Sequence, residues 1–202
     1  VDSVDEIEER VRAQQRVTAL VQGLPVADAE RRVPACPAWT VRDLLAHVVG
    51  LDADVLAGDE PDDHNATWTQ SQVDTRRDRD LATLLSEWAE MTGPMRAWMA
   101  GHGTRPLGDV VIHEQDLRGA LDVPGARDAP AWAVLRERFA RRLDGRVADA
   151  GLPPVALAGD TWTHGDPDTA GLVLHAPDFD LARALVTRRS AGQLRSWCRP
   201  GT

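Results

Sequence analysis

Lysine is absent from this chain, so all 23 basic side chains are arginine. They face 32 acidic groups, for a formal net charge of -9. That sign argues against a nucleic-acid binder, because phosphates demand a basic face. Long apolar runs are also missing. No stretch approaches the ~20 consecutive apolar residues of a membrane-spanning helix, so no membrane partner is expected. The opening VDSVDEIEERVRAQQ is charged and has no apolar signal region, which makes a cytoplasmic location the expectation. Cysteine is scarce: Cys36 and Cys198 stand far apart, with no CxxC spacing for metal or redox work, and read as reduced thiols. The chain carries no P-loop, no GxGxxG and no GxSxG. Nucleotide hydrolysis, dinucleotide redox and serine-hydrolase chemistry are set aside on that ground.

What is present suits a globular protein. The 202 residues are 43% hydrophobic and 27% charged. That is enough to bury a core in one domain, or in one domain plus a smaller second. The lack of lysine beside abundant Ala, Asp and Gly is the composition of a GC-rich genome, actinobacterial genomes among them.

Helical periodicity dominates the first part. Residues 5–22 carry a broken stripe of Ile7, Val11, Val17, Leu20 and Val21, ended by Gly23 and Pro25. PACPAW reads as a Pro-rich connector. Thr40 then reads as an N-cap with Asp43 completing a capping box, opening a second helix over about 41–56. Leu44, His47, Val48, Leu51 and Val55 share one face of it, so His47 points inward among aliphatic residues. TWTQSQVDTRRDRD reads as a short helix or a cover, and its charge run as a solvated face. A third helix spans about 81–99, with a kink expected at Pro94. A fourth starts at Pro106 and runs to about Leu121.

Composition changes near Pro124–Pro130. An Arg-rich helix over 132–148 is followed by two strand-like runs, VALAG and AGLVLHA, set among Gly, Asp and Pro. DFDLARALVTRRSAGQLRSW reads as helical again. The expected organisation is α+β: a four-helix region over residues 1–125 and a small α+β domain over residues 126–202.

Three residues carry the chemical signal. His47 is an inward histidine on the second helix, and Asp109 and His113 lie at i and i+4 on one face of the fourth. A histidine from a facing helix would complete a three-ligand set with an open position, as a catalytic divalent metal requires. Asp116 continues the same face, i+3 from His113 and i+7 from Asp109. Buried carboxylates need compensation, and a cation is one form of it. The plainer alternatives are a satisfied core histidine, Asp109 serving the helix N-terminus and Asp116 paired with an arginine. His64 and His102 read as surface loop residues, and His164 and His175 lack a metal-like spacing. Trp39, Trp68, Trp88 and Trp98 read as packing residues.

In three passages, PAWTVRDLLAHVVG, VVIHEQDLRGALDVPG and FDLARALVTRRSAGQLRSW, the chain resembles the mycothiol-dependent maleylpyruvate isomerase family. That family falls within the DinB/YfiT-like metal-binding helical bundles. The resemblance implies a DinB-like four-helix bundle followed by the small C-terminal domain. It places the family's metal triad on His47, Asp109 and His113. The family has glutamate where this chain has Asp109, whose carboxylate reaches about one methylene less far. Asp116 matches an aspartate implied to help bind the thiol cofactor or to orient the site, a physically reasonable role for a carboxylate beside a ligating histidine.

Arg76 and Arg77 lie near the family's substrate- or thiol-binding arginine, with Arg77 carried as the thiol-side candidate and a solvated surface arginine as the alternative. Arg188 and Arg189 match an arginine-bearing stretch of the C-terminal domain. Arg188 is carried with Asp116 as a catalytic candidate able to bind a carboxylate substrate bidentately. The alternative is a charge opposite a helix C-terminal dipole.

The function implied is a metal-dependent, mycothiol-utilising enzyme, an isomerase or S-transferase acting on a small electrophilic substrate. Zinc suits two histidines and a carboxylate, although donor type alone also admits nickel or iron. The alternatives are a non-enzymatic binding or regulatory module on the same scaffold and a metal-dependent small-molecule hydrolase. The expected partners are the substrate and a low-molecular-weight thiol, in a monomer or homodimer.

Overall fold

The computed structural model describes residues 4–61, 63 and 65–200. The chain divides into two compact units, Val1–Ala126 and Arg127–Thr202.

The first unit is helical. Helix α1 (Glu6–Val21) begins where the Asp5 carboxylate accepts from the backbone N–H groups of Ile7 and Glu8, at 3.1 Å each. A one-turn helix α2 (Val26–Ala29) follows the left-handed Gly23. The Pro-rich connector expected next is instead a hairpin. Strand β1 (Arg32–Val33) pairs antiparallel with β2 (Cys36–Thr40), Arg32 opposite Thr40 and Val33 opposite Cys36. Proline is tolerated there because both strands of a two-stranded sheet are edges, and Pro37 is exposed.

Helix α3 (Val41–Ala57) starts on the expected capping box. Thr40 Oγ1 accepts from the Asp43 N–H at 3.1 Å, and the Asp43 carboxylate accepts from the Thr40 N–H at 3.0 Å. Helix α4 (Ala66–Thr75) is capped by Asn65, which accepts from the Trp68 N–H at 2.9 Å. Helix α5 (Leu81–His102) continues through Pro94 and takes in His102, which the sequence reads as a loop residue. The reading of His64 falls outside the described residues. Helix α6 (Pro106–Leu121) has proline in its first turn and ends at Asp122 in the left-handed region. Helix α1 packs against α5 and α6, α3 packs against the same two, and α4 lies on α3. Leu44, Leu45, Leu84, Trp88, Leu107 and Leu117 are buried completely between them.

Buried polar groups are cross-linked within this core. Arg10 pairs with Asp52, and the Trp88 indole donates to the same carboxylate at 2.6 Å. Arg10 also donates to Gln14 Oε1 at 2.6 Å, and Gln14 donates to the Trp88 carbonyl at 3.0 Å, so α1, α3 and α5 share one network. Burial pushes the Asp52 carboxyl up, against the pull of the Arg10 charge and the Trp88 hydrogen bond. Between α1 and α6, buried Glu114 accepts from Arg16 at 3.0 Å and from Arg118 at 3.0 Å.

The second unit is mixed, which makes the chain α+β. It comprises α7 (Ala131–Asp149), β3 (Val155–Ala158), β4 (Thr163–His164), β5 (Leu172–His175), α8 (Asp178–Leu185), α9 (Ala191–Trp197) and β6 (Cys198–Pro200). Its sheet runs β4-β3-β5-β6, parallel between β3 and β5 and antiparallel at both edges. Helix α7 packs on α8, and Ala140, Leu157 and Leu181 form a small core with Leu143, Trp162 and Leu185 against it.

The single helical run expected over DFDLARALVTRRSAGQLRSW is broken into α8 and α9. Thr187 adopts φ 62, and Ser190 with Gln193 forms a second capping box that starts α9 afresh. Cys36 and Cys198 are not joined in a disulfide. No helix among the described residues is long and apolar enough to cross a membrane.

Candidate functional site

The capping box at Thr40 sets where α3 begins, and the helical repeat then turns Leu44, His47, Val48 and Leu51 into the bundle. His47 is 6% exposed. On α6 the same logic buries His113 and Asp116. The two imidazoles meet there, with ring centroids 5.1 Å apart and planes at 85°.

Each ring is held from behind at Nδ1. His47 Nδ1 lies 2.7 Å from Gln72 Oε1, and Gln72 Nε2 donates to Asp54 Oδ2 at 2.7 Å. His113 Nδ1 lies 3.1 Å from Asp116 Oδ2, one helical turn along α6. Asp116 is 2% exposed, so this carboxylate acts on the imidazole in an environment with little screening water. An oxygen acceptor at Nδ1 is the arrangement that orients metal-ligating histidines. The donor chemistry of this pair therefore fits a divalent metal. Asp109 is half-buried on α6 one turn before His113. Among the described residues, no group of three His, Cys, Asp or Glu side chains is gathered closely enough to hold a metal ion.

Other residues border the pair. The Trp39 ring on β2 lies 5.0 Å from the His47 ring, tilted by 40°, and its indole donates to Gln70 Oε1 at 2.9 Å. Sequence reasoning treats Trp39 as packing and does not single out Gln72. A neutral amide in TWTQSQVD belongs to no motif, and only the approach of α4 to α3 gives it a role.

The arginine candidates separate. Arg76 is buried and forks onto Glu87 of α5, at 3.1 Å from Nε and 2.7 Å from Nη2. Burial pushes the Glu87 carboxyl up, but hydrogen bonds and charge from Arg76 and Arg79 outweigh it and leave Glu87 below its ordinary range. Arg77 lies just past α4 on the surface, paired with Asp74. Arg188 belongs to the second unit, between α8 and α9, with Nη1 3.3 Å from the Val186 carbonyl. Its neighbour Arg189 is paired with Asp180. Of the candidates read from sequence, the structure thus brings together His47, His113 and Asp116. Asp109 shares a helix with two of them, and Arg77 and Arg188 stand on other segments.

Fold and site together define a class: a helical bundle with an inward histidine pair, followed by a small α+β unit. Residues 11–105 match the family model of the mycothiol maleylpyruvate isomerase N-terminal domain, so this stretch of the chain is similar to that domain. A solved structure described as the mycothiol-dependent maleylpyruvate isomerase is similar over 93% of this chain and 90% of its own, with a TM-score of 0.59 and 11% identity. Likeness at that identity carries the fold. No curated protein matches the sequence.

Proposed function

We propose that this protein is a mycothiol-utilising isomerase whose site is built on the His47–His113 pair. That pair carries the reading: two imidazoles from facing helices, 5.1 Å apart, each with a side-chain oxygen at Nδ1. The match of residues 11–105 to the mycothiol maleylpyruvate isomerase N-terminal domain model supports mycothiol as the thiol cosubstrate. In this reading His47 and His113 supply two nitrogen donors to a divalent metal, zinc by donor type, and Asp109 supplies the third. When bound, the metal lowers the pKa of a coordinated thiol, and mycothiol supplies a thiolate nucleophile for reversible addition to an electrophilic carbon.

The chain's own contribution is orientation and exclusion of water. Asp116 accepts a hydrogen bond from His113 Nδ1–H and restrains ring rotation. The Trp39 ring covers one side of His47. Arg77 is the proposed binder of an anionic group on the thiol, since a guanidinium grips a carboxylate through two parallel bonds. A reduced low-molecular-weight thiol fits a cytoplasmic setting.

Metal analysis of protein purified without chelator tests the metal half, with about one divalent ion per chain expected. His47→Ala should lose most of that metal. Mycothiol should perturb the spectrum of the cobalt-substituted protein, and Asp116→Ala should weaken that response while metal content largely survives. Protein that takes up no metal and ignores mycothiol would leave a non-enzymatic binding module as the better account.

A further inference from the structure

A glutamine side chain has two chemically opposite ends, and which end faces a histidine decides where the imidazole proton sits. At Gln72 the choice is made by a third residue. Asp54 offers a carboxylate oxygen 2.7 Å from Gln72 Nε2. That oxygen accepts, so the amide nitrogen must face Asp54. The amide oxygen is then the end that lies 2.7 Å from His47 Nδ1. An amide oxygen also only accepts, so Nδ1 carries the proton and the lone pair lies on Nε2. Free histidine in water favours the opposite tautomer, with the proton on Nε2, so the pair of residues reverses an intrinsic preference.

The backbone is arranged to bring this amide in. Gly50 follows His47 by one turn on α3, where an added Cβ would lie 2.6 Å from Gln72 Cβ and 2.9 Å from Arg76 Nη1. Only a residue without a side chain lets α4 come this close to α3. The Arg76 fork onto Glu87 ties the end of α4 to α5. Gln72 itself is 2% exposed, so water does not compete for its amide.

We propose that Gln72 is the positioning residue of the site: with its amide turned by Asp54, it holds His47 in the Nδ1–H tautomer and makes Nε2 the donor nitrogen. The inference rests on the reading of His47 as a site residue, but its test needs neither metal nor thiol. Long-range proton–nitrogen correlation spectra of isotope-labelled histidine report the tautomer directly. They are recorded on metal-free full-length protein, at a mildly alkaline pH where imidazole is neutral.

In the wild type the His47 proton is expected on Nδ1. In Gln72→Met, which keeps the bulk and removes the acceptor, it should move predominantly to Nε2. In Asp54→Ala the amide is free to turn, and a mixture of tautomers is expected. A wild-type proton on Nε2, or a Gln72→Met spectrum that keeps it on Nδ1, overturns the proposal. Should Gln72→Met fail to fold by circular dichroism, the wild type and Asp54→Ala still decide, because an unchanged tautomer in Asp54→Ala removes the relay. Failure of metal uptake with the expected tautomer would count against the proposed function alone. The wrong tautomer in a protein that binds metal would count against this inference alone.

Discussion

The two units of this chain solve the problem of buried polarity in opposite ways. Unit Val1–Ala126 draws charged and polar groups into its centre and pairs them there, with Arg10, Asp52, Trp88 and Gln14 in one network and Glu9, Arg16 and Glu114 in another. Unit Arg127–Thr202 has a small apolar core around Ala140, Leu157 and Leu181 and sets arginines, the buried Arg183 among them, over aromatic faces: Arg136 lies 4.4 Å from the Trp162 ring centroid, Arg127 5.4 Å from that of Phe179 and Arg183 5.8 Å from that of Trp132. The first arrangement is costly to disturb, because removing one partner leaves the other buried and uncompensated. The second tolerates loss of a charge more easily, since a cation over a ring is worth about 0.5–2 kcal/mol.

Asp52→Ala should test this contrast most severely. It strands Arg10 in the core, and a loss of about 3–5 kcal/mol is expected by denaturant unfolding. A smaller cost than that of any apolar truncation in the second unit would reverse the comparison. Leu181→Ala probes that second unit. Its side chain is wholly buried, so a loss of about 2–4 kcal/mol is expected, read as faster amide exchange in β3 and β5. Wild-type protection in those strands would show that their stability resides elsewhere.

Glu87→Gln should have the smallest effect, of about 0.5–1 kcal/mol, because the carboxylate it removes is partly exposed. Its value lies in its pH dependence. The Glu87 carboxyl sits below its ordinary range when folded, so the folded state holds its proton less tightly than the unfolded chain. The wild-type advantage over Glu87→Gln is therefore full above the ordinary carboxylate range and disappears as pH falls through the lowered folded value. An advantage that persists at low pH would mean that Arg76 and Arg79 are held by something other than that charge.

Legibility in the sequence followed the range of the interactions involved. Thr40 with Asp43, and Pro106 in the first turn of α6, are local signals, and the helices start where those residues indicate. The inward turn of His47 and His113 follows from helical periodicity once the starts are known. The β1–β2 hairpin was hidden by Pro34 and Pro37, which argue against strands unless the strand is known to be an edge. The break before α9 was readable in principle, since Ser190 and Gln193 have capping-box spacing, but the apolar pattern across it masked the signal. Gln72 and Trp39 were not readable at all. Their roles depend on α4 and β2 approaching α3, a tertiary fact that leaves no periodic trace in either segment.

The close approach at Gly50 also bears on how the protein can be improved in the laboratory. Replacing helix glycines by alanine is a standard route to thermal tolerance, worth about 0.5–1 kcal/mol per site where the methyl has room. Gly93, Gly101, Gly119 and Gly145 are in helices with nothing within 4 Å of a built Cβ. They are sound choices for such a campaign. Gly50 looks the same in the sequence and is the wrong choice, because its methyl would wedge α4 from α3 and carry the Gln72 amide away from His47. A library that replaces these five helix glycines alike would gain heat resistance at four positions and part Gln72 from His47 at the fifth.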